Sequence, residues 1–262
     1  MNDNKTSKNS IVAKFAVPIS FLILFFLAAN FTDCDLVTFW KRRNHLTDLV
    51  VDMIPPDFSY IQKILLPLFY TIQMSVTGTV LGTFFALVLS PFGAANLGFP
   101  AVIRRILRIV IQILRSFPAL ILALTATFLF GLGTFAGTFA ITLYTFAIMA
   151  KLTYEDASAA DVKAYQALRA MGVSKYVAYI HGILPEIIPG FLTNALYLLE
   201  TNVRHSSILG YVGAGGIGLL LNEKISWLEY DKVGTILLML FLTVCVIEYF
   251  SRYLAALIRK ER

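Results

Sequence analysis

Ser116-Phe-Pro-Ala-Leu-Ile-Leu-Ala-Leu-Thr-Ala-Thr-Phe-Leu-Phe-Gly-Leu-Gly-Thr-Phe-Ala-Gly-Thr-Phe-Ala-Ile-Thr-Leu-Tyr-Thr-Phe-Ala-Ile-Met-Ala150 contains no charged residue. As continuous helix it would extend about 50 Å at 1.5 Å per residue. One crossing of a bilayer takes about 20 apolar residues, so the run is too long for one span and short for two. Gly131-Leu-Gly-Thr-Phe-Ala-Gly137 interrupts it, and the stretch reads as a hairpin. Its first helix starts early, near Ile106, with Arg108 and Arg115 at its inner end; its second runs from about Thr134 to Ala150.

The rest of the chain agrees with a membrane. Of 262 residues, 58% are hydrophobic and 15% charged, with net charge +6 and mean hydropathy +0.74. A soluble domain carries about a quarter charged residues, so a soluble globular enzyme, a disordered chain and a nucleic-acid binder are all disfavoured. Cys34 and Cys245 lie too far apart in sequence to suggest a disulfide framework.

Four further spans are expected. Phe15 to Phe31 is free of charge and follows Lys5, Lys8 and Lys14. Its length exceeds a usual signal core of about 7–15 residues, which favours an uncleaved helix over a signal ending near Ala28-Ala29-Asn30. Leu66 to Leu89 makes the second span, Ile187 to Leu199 the fifth and Val233 to Leu257 the sixth. Residues 33–63 hold Asp33, Asp35, Asp48, Asp52, Asp57 and Pro55-Pro56, an external loop with room for a surface helix. Arg104, Arg105 and Arg108 mark an inner turn, and Glu223 to Lys232 an outer loop. With six spans and both termini inside, 15 Lys and Arg fall on the cytoplasmic side and 7 outside, the bias that sets orientation in membranes. Lys41-Arg42-Arg43 fits this least well. The expected division is 1–63, first helix and external loop; 64–258, an all-α polytopic membrane domain with an inner segment at 151–185; and 259–262, a basic tail.

Two stretches could carry chemistry. In Lys163-Ala-Tyr-Gln-Ala-Leu-Arg-Ala-Met-Gly172-Val-Ser-Lys-Tyr-Val-Ala-Tyr-Ile-His-Gly-Ile-Leu-Pro185, a helix should stop at Gly172, where glycine suits the left-handed C-terminal position. A second should start after Ser174, a good N-cap. Tyr176, Tyr179 and Ile180 then share one face. Such a pair of short helices either docks into a partner's groove or lies on lipid. The other stretch is Glu200-Thr-Asn202-Val-Arg204-His-Ser-Ser-Ile-Leu-Gly-Tyr-Val-Gly213-Ala-Gly215-Gly216-Ile-Gly218. Its glycines satisfy a Gly-x-Gly-x-x-Gly fingerprint, but that motif needs a soluble strand–turn–helix unit, and a membrane helix follows. Close backbone approach is the better use of these glycines. Glu200 and Arg204 should pair at their four-residue spacing. They are either functional intramembrane charges or residues at the outer water boundary.

The first stretch resembles the coupling loop of ABC importer permeases, Glu-Ala-Ala, three residues, Gly, nine residues, Ile, one residue, Leu-Pro. Gly172 and Leu184-Pro185 match; Gln166-Ala167-Leu168 stands at the first triplet and Gly182 at the Ile position. The second closely resembles the permeases of phosphonate-type ABC importers, which share Glu-x-Asn-x-Arg and a Leu-Gly-x-Val-Gly-Ala-Gly-Gly-Ile-Gly block. Arg115-Ser-Phe-Pro118 and Gly131 to Gly137 also look like that family. Methionine-type permeases share the Gly-rich block but lack the Glu200-Asn202-Arg204 spacing.

This resemblance implies a type I permease fold with Gln166, Ala167, Gly172, Tyr176, His181, Leu184 and Pro185 in an ATPase-coupling loop. It implies a passage or gate formed by Arg115, Pro118, Glu200, Asn202, Arg204, Gly213, Gly215, Gly216 and Gly218. The implied setting is a bacterial inner membrane, and the implied partners are a pair of cytoplasmic ATPase subunits, a second permease copy and an external binding protein. The substrate would be phosphonate, phosphite or phosphate. No P-loop, metal cluster or nucleophile set is visible, so no cofactor is expected on this chain; ATP and Mg would sit on the ATPase. The rivals are a secondary transporter, for which no inverted repeat is evident, an intramembrane enzyme, for which no nucleophile or metal cluster stands inside a span, and an ABC permease for another small substrate such as methionine.

Gly78-x-x-x-Gly82 and Gly133-x-x-x-Gly137 offer small-residue faces for packing within the chain or between copies. Glu248 and Arg252 should pair on the last helix, near its cytoplasmic end.

Overall fold

The computed structural model describes residues 3–32 and 36–260. Asp33, Cys34 and Asp35 lie outside the described residues, as do Glu261 and Arg262. The described chain is all-helical. Helices α1 (Asp3–Phe31) and α2 (Leu36–Asp52) form one compact unit, and Met53 onward forms another. α1 carries the first apolar stretch, Pro18–Phe31, shorter than the other spans. α2 places Arg43 4.5 Å from the Trp40 ring.

The second unit begins earlier than residue 63. A Cβ on Gly234 would meet the Met53 carbonyl at 2.3 Å, and Thr235 donates to the Asp57 carbonyl at 3.2 Å. These contacts tie residues 53–60 to the last helix.

α3 (Ile61–Gly93) and α6 (Thr134–Ala159) are its central pair. Lipid tails are as apolar as leucine, so close packing and hydrogen bonds must hold membrane helices together. Gly78 and Gly82 supply the close approach. A Cβ on the first would meet Ile141 Cγ2 at 2.6 Å, and on the second the Thr142 carbonyl at 2.7 Å. This small-residue face is therefore used inside the chain. Phe69, Phe84 and Phe85 are exposed on the same helix, as a lipid-facing side requires.

The third span is broken. α4 (Ala101–Ser116) and α5 (Ala119–Phe130) meet at 94°. Pro118 has no N–H to continue the ladder and holds the preceding Phe117 in an extended conformation (φ −87°, ψ 126°). Arg108 and Arg115 share α4 as expected, but the expectation that this helix continues into the charge-free run fails at Pro118. α7 (Lys163–Ala170) and α8 (Lys175–Gly182) form the inner loop, and α8 joins α9 (Leu184–Leu209) through Ile183 at a 69° bend. α9 runs ten residues beyond the expected Leu199 and so contains Glu200, Asn202 and Arg204. α10 (Ile217–Ser226) replaces part of the expected outer loop, and α11 (Tyr230–Lys260) ends the described chain. The α3 segment from Phe58, α6 and α11 to Ile258 are each long and apolar enough to cross a membrane, and the two bent pairs raise the number to five.

The two ends of α3 carry different things. Ala94 and Leu97, just past its C-terminus, pack with Tyr165, Ala178 and Tyr179 of the inner loop. Tyr60, Ile64 and Leu68 pack with Ile217 and Leu221 of α10 and with Val233 and Ile236 of α11. A helix of this length is about 50 Å long, so loop and α10 lie at opposite ends of a helix long enough to cross a bilayer.

Candidate functional site: an inner loop and a mid-depth polar seam

The inner loop is built as the sequence predicts. Val173 N–H donates to the Leu168 carbonyl (3.2 Å) and Gly172 N–H to the Arg169 carbonyl (3.1 Å), the paired bonds of a Schellman terminus. Gly172 sits at φ +83° with open space around it. Ser174 caps α8, its hydroxyl accepting from Val177 N–H at 3.4 Å. Asp161 accepts from Lys163 N–H at 2.9 Å, and that bond, with the Lys163 side chain, holds its carboxyl below the usual range.

The aromatic face of the loop, however, points inward. Tyr179 is 1% exposed and its hydroxyl meets Ser90 Oγ at 3.1 Å. Tyr165 donates to the Leu97 carbonyl at 2.6 Å, and burial pushes its phenol above the ordinary value. Tyr176 is half-buried and stacks on Phe92. These rings fasten the loop to the end of α3. The residues left exposed include Gln166, Ala167, Met171, Gly172, Val177, Ile180 and His181. Leu184 and Pro185 open α9. Gly182, the departure from the family pattern, has a local cause: a Cβ there would meet Tyr165 N at 2.8 Å, where α8 crosses α7.

The second site starts from Asn202, which is fully buried. Its amide donates to Thr79 Oγ1 and to Thr145 Oγ1, each at 2.8 Å. Ser206, one turn on, meets Ser75 Oγ at 2.7 Å. Thr79 lies near the middle of α3, so Glu200, Asn202 and Arg204 are level with the middle of that helix. Asn202 is a strut inside the chain, facing α3 and α6. Glu200 and Arg204 form the expected pair at 2.6 Å, with side chains 12% and 49% exposed.

Above this seam the glycine block folds back. Gly213, Gly215 and Gly216 have φ of +81°, +80° and +71°, accessible at little cost only to glycine. Gly213 accepts from Gly133 N–H at 2.9 Å, which joins this block to the other glycine loop. Ile217 N–H, at the start of α10, donates to Thr71 Oγ1 at 2.8 Å. Gly210 and Gly218 touch backbone to backbone: a Cβ on Gly218 would meet the Ser207 carbonyl at 2.0 Å. The block is a packed corner in which these glycines let three segments meet.

Arg115 and Pro118 are exposed at the α4–α5 elbow, and Arg115 makes no hydrogen bond or ion pair with Glu200 or Arg204. The hydroxyl ladder of α3, Thr71, Ser75, Thr79 and Thr83, went unread in the sequence. Its four-residue period was the available signal. Also unread was Lys224, 7% exposed in its side chain and paired with Glu223 (3.1 Å) and Glu229 (2.9 Å). Its ammonium also lies 4.3 Å from the Trp227 ring centroid.

Residues 78–260 match the family described as binding-protein-dependent transport system inner membrane component. A relative named phosphite transport system permease protein PtxC, from Stutzerimonas stutzeri, is 31% identical over 217 residues, 83% of this chain and 79% of its own. A phosphate-import permease protein, PhnE of Mycolicibacterium smegmatis, is 32% identical over 77% of this chain and 38% of its own length. Among solved structures, an inward-facing MetNI methionine ABC transporter chain aligns with TM-score 0.67 at 21% identity, covering 77% of this chain and 99% of that one. The fold is thus that of an ABC importer permease, and the chain belongs to the inner-membrane components of binding-protein-dependent transport systems.

Proposed function

We propose that this permease carries a phosphorus oxyanion, such as phosphite, phosphate or a phosphonate, into a bacterial cell in an ATP-driven importer. The carrying observation is the direct mechanical line from loop to charge. α8 passes into α9 through one residue, Ile183, and α9 holds Glu200 and Arg204 level with the middle of α3, beside Asn202. Two cytoplasmic ATPase subunits would grip the exposed loop residues Gln166, Ala167, Met171, Gly172 and His181. Their closure on ATP, with Mg on the ATPase, would tilt α9 at the Ile183 bend. A second copy of the chain would complete the passage, and an external binding protein would deliver the anion. The names of the relatives support the substrate class, and the 15-to-7 charge bias supports termini on the cytoplasmic side.

Arg204 is the anion-attracting residue in this scheme, since Coulomb attraction is strong where water is scarce. Glu200 keeps it from binding substrate tightly, and Arg115 at the elbow adds a second positive charge. The test is reconstitution with the ATPase and binding protein of the same system. Arg204→Ala should cut oxyanion uptake while the complex stays assembled, and Gly172→Asp should release the ATPase. Uptake by the chain alone, driven by an ion gradient, would instead identify a secondary transporter.

A further inference from the structure

A cleft of about 730 Å³ opens between α9 and α11, with Thr193, Tyr197 and Glu200 on one wall and Ser251 and Arg252 on the other. One end of it is level with the seam, because Glu200 is two residues from Asn202, and from there it runs along α9 toward Thr193 and along α11 past Arg252. Ionisable groups within a span face a water-filled cavity or another protein, rarely lipid. Arg252 pairs with Glu248 one turn back, its side chain 77% exposed, and exposed helical pairs of this kind hold weakly.

Ser251 supplies an independent observation. A buried serine or threonine in a helix ordinarily bonds a carbonyl three or four residues back. Thr71, Ser75, Thr79, Thr153 and Ser206 do so here. Ser251 is 5% exposed as a residue, but its hydroxyl is not one of the sealed, unpartnered atoms and makes no such bond to its own helix, so it is open to the cleft. It lines the cleft.

Resting on the importer reading above, we propose that this cleft is an oxyanion site. Arg252 supplies the charge, and the Ser251 and Tyr197 hydroxyls donate. Glu200, already holding Arg204, accepts a hydrogen bond only from an anion that still carries a proton. The site therefore takes phosphate, whose mono- and dianion both keep a P–OH near neutral pH, and the monoanions of phosphite and phosphonate, in preference to sulfate, which has none. The same chemistry fits a free anion or the phosphate of a lipid headgroup.

The experiment uses the full chain in nanodiscs, with Cys34→Ser and Cys245→Ser, and follows thiol labelling of Ser251→Cys. In nanodiscs of zwitterionic lipid, inorganic phosphate should slow labelling several-fold and sulfate much less. Arg252→Gln should abolish the protection and Arg252→Lys restore part of it. Glu200→Gln should remove the difference between the two anions. Protection that appears without phosphate, only when phosphatidic acid is present, also supports the site and identifies a headgroup as its occupant. Labelling indifferent to phosphate and to phosphatidic acid overturns the proposal, and equal protection by sulfate with Glu200 intact overturns its selectivity. Since a cysteine replaces the serine in that assay, uptake is measured with Ser251 intact. Arg252→Gln should lower uptake at least tenfold while ATPase stimulation by the binding protein persists; unchanged uptake counts against the site. The labelling needs no ATPase, so it still reports on the cleft if the ATPase-coupling reading fails.

Discussion

Asn202 donates its amide to Thr79 across the α9–α3 contact at 2.8 Å, in the interval between Glu200 and Arg204. A buried side chain thus sets the depth and facing of two charges. Asn202→Ala removes this bond and its companion to Thr145 and leaves a small void. Unmade buried hydrogen bonds cost about 1–3 kcal/mol, so thermal unfolding in detergent should shift down accordingly. Uptake should fall further than stability alone explains, because α9 loses its register. Uptake per folded complex at wild-type level would contradict this.

The Gly210–Gly218 contact leaves no room for a methyl. Gly218→Ala places a carbon 2.0 Å from the Ser207 carbonyl, and only backbone movement can relieve that. We expect a loss of roughly 3 kcal/mol or more, at the upper end of ordinary point mutations, visible as a collapse in the yield of monodisperse protein. Gly131→Ala is the control: nothing lies within 4 Å of its Cβ, and only its φ of +85° resists.

Tyr165 and Leu97 anchor the inner loop. Tyr165→Phe keeps the ring and deletes the hydroxyl, at a cost near 1 kcal/mol. The expected signature is a larger ratio of ATP hydrolysed to anion transported, since a loosened loop transmits less displacement. An unchanged ratio would show that ring packing alone suffices.

Glu229 accepts from Lys232 at 2.8 Å and pairs with Lys224. The Lys232 bond, then the Lys224 bond, pull its carboxyl below the ordinary 4.5. A depressed carboxylate stabilises the fold at pH above its unfolded value, and the contribution disappears as pH falls through the folded one. The wild-type unfolding temperature should therefore drop more steeply than that of Glu229→Gln between about pH 5 and pH 3. Parallel curves would deny the group this role.

Leu228 adopts φ 58° just after α10, where Leu228 N–H bonds the Ile225 carbonyl and Glu229 N–H the Lys224 carbonyl, both at 3.1 Å. A branched residue in this left-handed position is held against a preference of about 1 kcal/mol. Its side chain is 68% exposed, so little packing is lost on truncation. Leu228→Gly should raise the unfolding temperature by a few degrees; a decrease would mean that the side chain makes a stabilising contact.

Much of this was legible beforehand. The charge-free run from Ser116, the glycine terminator at Gly172, the Ser174 cap and the pairs at Glu200–Arg204 and Glu248–Arg252 follow from spacing and composition. What escaped had one physical origin: partners distant in sequence change what a residue means. Glu200, Asn202 and Arg204 fell just past the expected end of a span at Leu199, and whether they lay inside or at the water boundary stayed open, because hydropathy cannot see Thr79 and Thr145 waiting for the amide. Lys224 looked like a loop residue because its two carboxylates and aromatic ring converge only in the fold. Tyr179 looked available to a partner because its spacing marks a face without saying which way that face turns. Pro118 was visible, but its 94° consequence was not.

The hydroxyls of Thr71, Ser75, Thr79 and Thr83 each already donate to a carbonyl of their own helix. Separation from α9 would therefore leave α3 without an orphaned donor, whereas the Asn202 amide would be stranded. Sliding between these two helices is consequently lopsided in its energetics: α3 behaves as a self-sufficient rail with evenly spaced acceptor notches about 6 Å apart, and α9 as the rider that must find the next notch.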